Sequence, residues 1–348
     1  MQTAVISFNP DACAGIHGNG GIKAAFAGFT EKNAFPSSLI ISGKPGSGKR
    51  TFARIAAMAA ACRENPRPCL KCEACRKILS GISPDVIFIG IPKDKKSIGV
   101  EAVRDIKATA YIAPNDLDVK CYIINDADSM TVQAQNALLK LFEEPPGGVY
   151  FILLCTSPSS LLPTVRSRAP ELRTTEFPAD TLEKLLIADS RDAAKAAEKD
   201  RDSFRRLLKM ADGSYGAALS LLKSTDKKLF SGFNAADSAI NALCGTDRAN
   251  FLLSVIAEAT SRDKLTRLFT LMASAFRDMA AVRRRSGKAD LLFYPDISSA
   301  EEAGANFTLK SLLDIFSVLT EAQGQVSDMN VNIQTAATVF ADRLWSSK

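Results

Sequence analysis

Histidine is nearly absent: the chain has one among 348 residues, His17, with no second histidine or carboxylate at ligand spacing. That excludes a histidine-built metal centre and leaves His17 a structural or surface residue. No run approaches the roughly 18 apolar residues that cross a membrane. The opening "MQTAVISFNPDACAG" lacks a basic segment followed by an apolar core, so no signal peptide is expected and a cytoplasmic location is. Tandem repeats and long low-complexity tracts are missing too. What remains is ordinary for a globular protein, 46% hydrophobic and 24% charged, with a net charge of +6 that permits acidic partners without identifying them.

The eight cysteines are unevenly spread. Cys13, Cys121, Cys155 and Cys244 are scattered, whereas Cys62, Cys69, Cys72 and Cys75 form C-x6-C-x2-C-x2-C in "CRENPRPCLKCEAC". Clustering of this kind without a secretory signal points to metal, not to a disulfide framework. Four thiolates on short Pro-containing loops suit a tetrahedral zinc of structural type, with no position left for water. The ferredoxin ending C-x3-C-P is not present, which argues against an iron–sulfur cluster.

"SSLIIS" has strand length and composition, "GKPGSGK" follows it directly, and "RTFARIAAMAAAC" reads as a helix. Strand, glycine loop and helix together make a phosphate-binding loop of Gly43, Gly46, Ser47, Gly48 and Lys49. Its backbone N–H groups would surround phosphate oxygens, with Lys49 adding positive charge; ATP or ADP are the candidate ligands. Arg50 stands where a Ser or Thr hydroxyl would ligate magnesium, and Thr51 comes one position late. The apolar runs 85–91, 119–126 and 148–156 are further strands, with "TVQAQNALLKLFEE" a helix ended by Pro145 and Pro146. Alternating strands and helices predict an α/β domain with a mostly parallel sheet. At the end of the 119–126 strand, where an NTPase holds magnesium and activates water, stand Asn125 and Asp126. Weak or absent hydrolysis is expected.

Beyond about residue 178 the periodicity is helical. The expected division is an α/β domain over 1–178 with the cysteine module at 62–75, a small helical domain over 179–233 and an all-helical domain over 234–348. The basic stretch "VRRRSGK" (282–288) sits at a helix C-terminus before Gly287, where the favourable placement of cations suffices to account for it, with a nucleic-acid role as the alternative.

The order of P-loop, four-cysteine insert, "SIGVEAVRDIKATAYIAP" (97–114), "AQNALLKLFEEPP" (134–146) and "PTVRSRA" (163–169) resembles the bacterial clamp-loader AAA+ subunits of DNA polymerase III. The resemblance is strong over 15–223, and "NVNIQTAATVF" near the end looks like the family's closing helix. It implies an AAA+ fold with a zinc insert, a helical lid and a helical collar that assembles a ring. It also implies gamma/tau and delta subunits as partners and, through them, the sliding clamp and primed DNA. Ser167 and Arg168 match the family's S-R-C motif, with Ala169 in place of Cys, so Arg168 is implied to act as an arginine finger in a neighbour's nucleotide site. Arg50, the Asn125–Asp126 pair and Gly216, in the sensor arginine's place within "GSYGAALSLL", fit the family's delta-prime stator. The alternative is a divergent gamma/tau-type motor that hydrolyses ATP itself. A free-standing zinc and nucleic-acid binding protein would account for the cysteines but not for "NALLKLFEEPP" or "VRSR".

Overall fold

The computed structural model describes residues 6–92, 95, 97–224, 228–284, 291–328 and 332–348. Residues 285–288 of the basic stretch, Asn330 and Val331 of the closing helix motif and the first five residues lie outside the described residues. The chain divides into two compact units, Met1–Glu176 and Phe177–Lys348.

The first unit is an α/β domain. Its strands are β1 (Ser38–Ser42), β2 (Val86–Ile89), β3 (Lys120–Ile124), β4 (Val149–Cys155) and β5 (Glu171–Arg173). They form one sheet in the order β2-β3-β4-β1-β5, parallel throughout. The helices are α1 (Gly20–Glu31), α2 (Lys49–Ala61), α3 (Glu73–Ser80), α4 (Val100–Ala110), α5 (Val132–Glu143) and α6 (Pro163–Arg166). Successive strand side chains point to opposite faces, and here both faces are covered, which is why the strands read as unbroken apolar runs. Leu39, Ile41, Cys121, Ile123, Ile152 and Leu154 pack with Phe26 of α1, Phe52 of α2 and Ile78 of α3. The alternate residues Ile40, Tyr122, Ile124, Phe151 and Leu153 pack with Val103 and Ile106 of α4 and Leu138 and Leu141 of α5. Tyr122 stacks on Phe151 with centroids 5.5 Å apart, and its hydroxyl meets Thr109 Oγ1 at 2.8 Å.

The four apolar runs read from sequence are β1 to β4. β5 is the strand the sequence did not announce: it is three residues, Glu-Leu-Arg, two of them exposed, and it pairs only with β1. The second unit is all helical among its described residues. Its two longest helices, Arg262–Arg283 and Leu309–Asp328, pack against each other, and its buried residues, from Leu182 to Leu344, form a single core.

Candidate functional site

The glycine loop spans the turn from β1 into α2, at the C-terminal edge of the sheet where ligands of open α/β folds bind. Gly48, at φ 91°, is the N-cap of α2, and Gly46, at φ 75°, is also left-handed. Gly43 is required on two counts. Its φ is +147°, and a Cβ there would stand 1.8 Å from Thr174 Oγ1. Thr174 follows β5, is buried, and hydrogen-bonds Ser47 Oγ at 2.8 Å while donating to the Ser42 carbonyl at 3.2 Å. The strand missed in the sequence thus delivers the residue that braces the loop.

Lys49 Nζ donates to the carbonyl oxygens of Gly43 at 2.5 Å and Lys44 at 2.9 Å. A phosphate would have to compete with both. Burial holds the Lys49 ammonium below its ordinary range, opposed by the Cys155 thiol and the Asp128 and Asp126 carboxylates. Asp128, which sequence reasoning passed over, accepts the Thr156 N–H at 3.0 Å and so brings a second carboxylate near the loop. Burial, with Asp128 and Glu171 adding to it, pushes the Cys155 thiol up to about 12, while Lys49 and Arg166 oppose.

On the magnesium side, Arg50 is exposed and sets its guanidinium over the Phe88 ring, 5.4 Å from the centroid. Thr51 is exposed on α2. Asn125 donates its backbone N–H to Ile89, but its buried Oδ1 has no hydrogen-bond partner. Asp126 is exposed in a left-handed conformation, φ 51°. A guanidinium donates only, and an amide oxygen carries no formal charge. Neither residue replaces the hydroxyl and carboxylate that hold magnesium in P-loop enzymes.

Arg168 follows α6 and is not a free surface side chain. It pairs with Glu143 Oε1 at 2.5 Å and donates to the Thr164 carbonyl at 2.8 Å and to Ser167 Oγ at 3.3 Å. Glu143 lies within "NALLKLFEEPP", yet nothing in its spacing singled it out. Ala169 is 6% exposed and belongs to the core under the sheet, so the residue that departs from S-R-C faces away from solvent. The α5–α6 connection is fixed by Gln135, whose buried amide accepts the Leu162 N–H at 2.7 Å and donates to Met130 and Ser160 carbonyls at 3.2 and 3.3 Å.

The four clustered cysteines converge. Their Sγ atoms all lie within 4.8 Å of one another, and Cys62 Sγ is 3.9 Å from Cys72 Sγ. A tetrahedral ion with metal–sulfur bonds of about 2.3 Å requires sulfur pairs about 3.8 Å apart, so the set fits with small adjustments. Cys62 ends α2, Cys72 caps α3 and Cys75 lies within it, and Leu70 turns the intervening knuckle with φ 62°. Backbone N–H groups of Cys69, Cys72 and Cys75 donate to the sulfurs of Cys62, Cys69 and Cys72 at 3.4, 3.2 and 3.5 Å. Such donors orient and stabilise thiolates. Burial works against ionisation of Cys69, but N–H groups of Lys71 and Cys72 outweigh it and lower the thiol to about 7. Burial pushes Cys62 and Cys75 up, and a bound cation would reverse that direction.

Comparison with known proteins places the first unit. Residues 19–178 match the family described as DNA polymerase III, delta subunit. The chain is 32% identical over 222 residues to DNA polymerase III subunit tau of Bacillus subtilis, covering 62% of this chain and 38% of that one. It is 37% identical over 133 residues to subunit delta' of Yersinia pestis, covering 38% of this chain and 39% of that one. This chain spans half or less of the length of the sequence relatives it matches. Among solved structures, a gamma-subunit-related protein of Thermotoga maritima aligns over 94% of this chain and 99% of its own, with 17% identity and a TM-score of 0.46. No helix among the described residues is long and apolar enough to cross a membrane.

Proposed function

Because the chain belongs to the clamp-loader AAA+ family of DNA polymerase III, we propose that it is a delta-prime-type stator: a ring subunit that helps load the sliding clamp onto primed DNA without running the motor reaction itself. The observation that carries this is the magnesium side of its nucleotide site. Arg50 has no oxygen to offer and lies over Phe88, and Asn125 presents a neutral amide oxygen. In this reading the AAA+ domain covers 1–178, residues 179–233 form a lid, and 234–348 form the collar that assembles with gamma/tau and delta subunits in the cytoplasm. The ion held by Cys62, Cys69, Cys72 and Cys75 is zinc, and its part is structural. Arg168, with Ser167 beside it, serves the adjacent motor subunit: a guanidinium in trans stabilises charge on the transferring phosphoryl group, an effect of about 10³- to 10⁵-fold.

The tau likeness extends over more of the chain than the delta' likeness, which favours a second reading, a gamma/tau-type motor. ATP turnover by the purified chain separates the two. A stator gives none above background. Turnover at the rate of a working ATPase, abolished by Lys49→Ala, would establish the motor.

A further inference from the structure

Arg50 and Arg54 stand one turn apart on α2, and each sets its guanidinium carbon 5.4 Å from the centroid of the same ring, Phe88. Phe88 belongs to β2, the strand at one margin of the sheet. Two like charges thus share one aromatic ring, and among the described residues neither has a carboxylate partner. Several acids of the same unit are engaged elsewhere. Glu73 and Asp116 pair with Lys77, Asp118 pairs with Arg63, and Asp85 accepts backbone N–H groups. The Arg54 Nε is buried without any hydrogen-bond partner, and its Nη2 lies against Gly81, the left-handed residue that ends α3.

The ring attracts both cations through its face but accepts no hydrogen bonds of the strength a guanidinium makes with an oxyanion. Mutual repulsion between two guanidinium groups that no carboxylate neutralises marks a site that a phosphate would complete, since the planar fork of Arg matches phosphate oxygens bidentately. Four residues of helix rise about 6 Å, so the two side chains leave the helix at points about one nucleotide step apart on an extended strand. We propose that Arg50 and Arg54, backed by Phe88, bind the phosphate backbone of a single-stranded nucleic acid. The residue that removes a magnesium ligand from the P-loop supplies a cation to this second site. The choice of a nucleic-acid strand over another polyanion rests on the clamp-loader reading; the cationic cluster does not.

The test is fluorescence anisotropy of a labelled oligothymidylate with the full chain, titrated across salt concentrations and with inorganic tripolyphosphate as competitor. Replacing both residues (R50A/R54A) is expected to weaken binding roughly tenfold or more. The slope of log K against log salt should fall by about 1.4, at about 0.7 for each single-strand phosphate that the variant leaves unneutralised. The R50K/R54K pair should keep the slope and lose part of the affinity, and it carries the test if the alanine variant melts early. Unchanged affinity and slope in both variants would overturn the inference. Displacement of the oligonucleotide by equimolar tripolyphosphate would assign the cluster to a free polyphosphate and overturn the strand. Capture of a gamma/tau subunit by the same wild-type preparation separates the failures: assembly without oligonucleotide binding refutes this inference alone.

Discussion

Asp85 lies fully buried just before β2 and accepts backbone N–H groups from Asn115 and Asp116 at 2.7 Å and from Leu117 at 2.9 Å. Burial alone would raise its carboxyl, but these three donors, with the Lys120 charge, outweigh it and hold the group below the ordinary carboxylate range. A carboxylate lowered in the folded state contributes stability that is complete above its unfolded value, near about 3.9. That contribution is lost as pH falls through the lower folded value. Asp85→Asn turns an acceptor-only group into one that must also place two donors among N–H groups. We expect it to cost roughly 1–3 kcal/mol at neutral pH and to flatten the loss of stability below about pH 4. Chemical denaturation at a series of pH values measures both, and an unchanged acid limb in the variant would contradict the assignment. Nothing in the sequence marked Asp85, because its partners are backbone groups thirty residues away. The same holds for Thr174 against Gly43 and Glu143 against Arg168: both are pairings of elements remote in sequence. Lys49, Arg50 and the four cysteines were legible because their meaning lies in local spacing.

Elements were legible where burial forced a pattern. β1, β3 and β4 are buried between two helical layers and so are mostly apolar, and β2, half-buried at the sheet margin, is apolar too; β5 escaped because its residues are mostly exposed and it is only three long. The short helix Ile297–Gly304 starts at a local signal, the Asp296 cap, which accepts the Ser299 N–H at 2.8 Å. The cysteine module joins the end of α2 to the start of α3, where local apolar burial is small. One zinc per chain is expected by elemental analysis. Cys72→Ser should abolish stoichiometric metal and loosen the module, because a structural ion contributes folding free energy directly; limited proteolysis within 62–80 would rise while the sheet keeps its protection. Metal-free wild-type protein with the same proteolysis pattern would contradict a structural zinc.

Across the whole molecule, the proposed stator divides labour between a nucleotide site that would not serve its own chain and an arginine, Arg168, that would serve a neighbour. The Glu143 pair matters here. At 2.5 Å it holds Arg168 in place, and a phosphate arriving from an adjacent subunit would have to draw the guanidinium from that carboxylate. The most direct measurement is ATP hydrolysis by the assembled complex with Arg168→Ala, beside Arg166→Ala and the unaltered chain. Assembly should survive, since a partly exposed ion pair of this kind contributes little to stability. Hydrolysis at the motor site facing this subunit should fall by roughly 10³-fold or more, with clamp loading slowed, while Arg166→Ala has a smaller effect. Hydrolysis unchanged by Arg168→Ala, or reduced equally by both substitutions, would contradict the stator account.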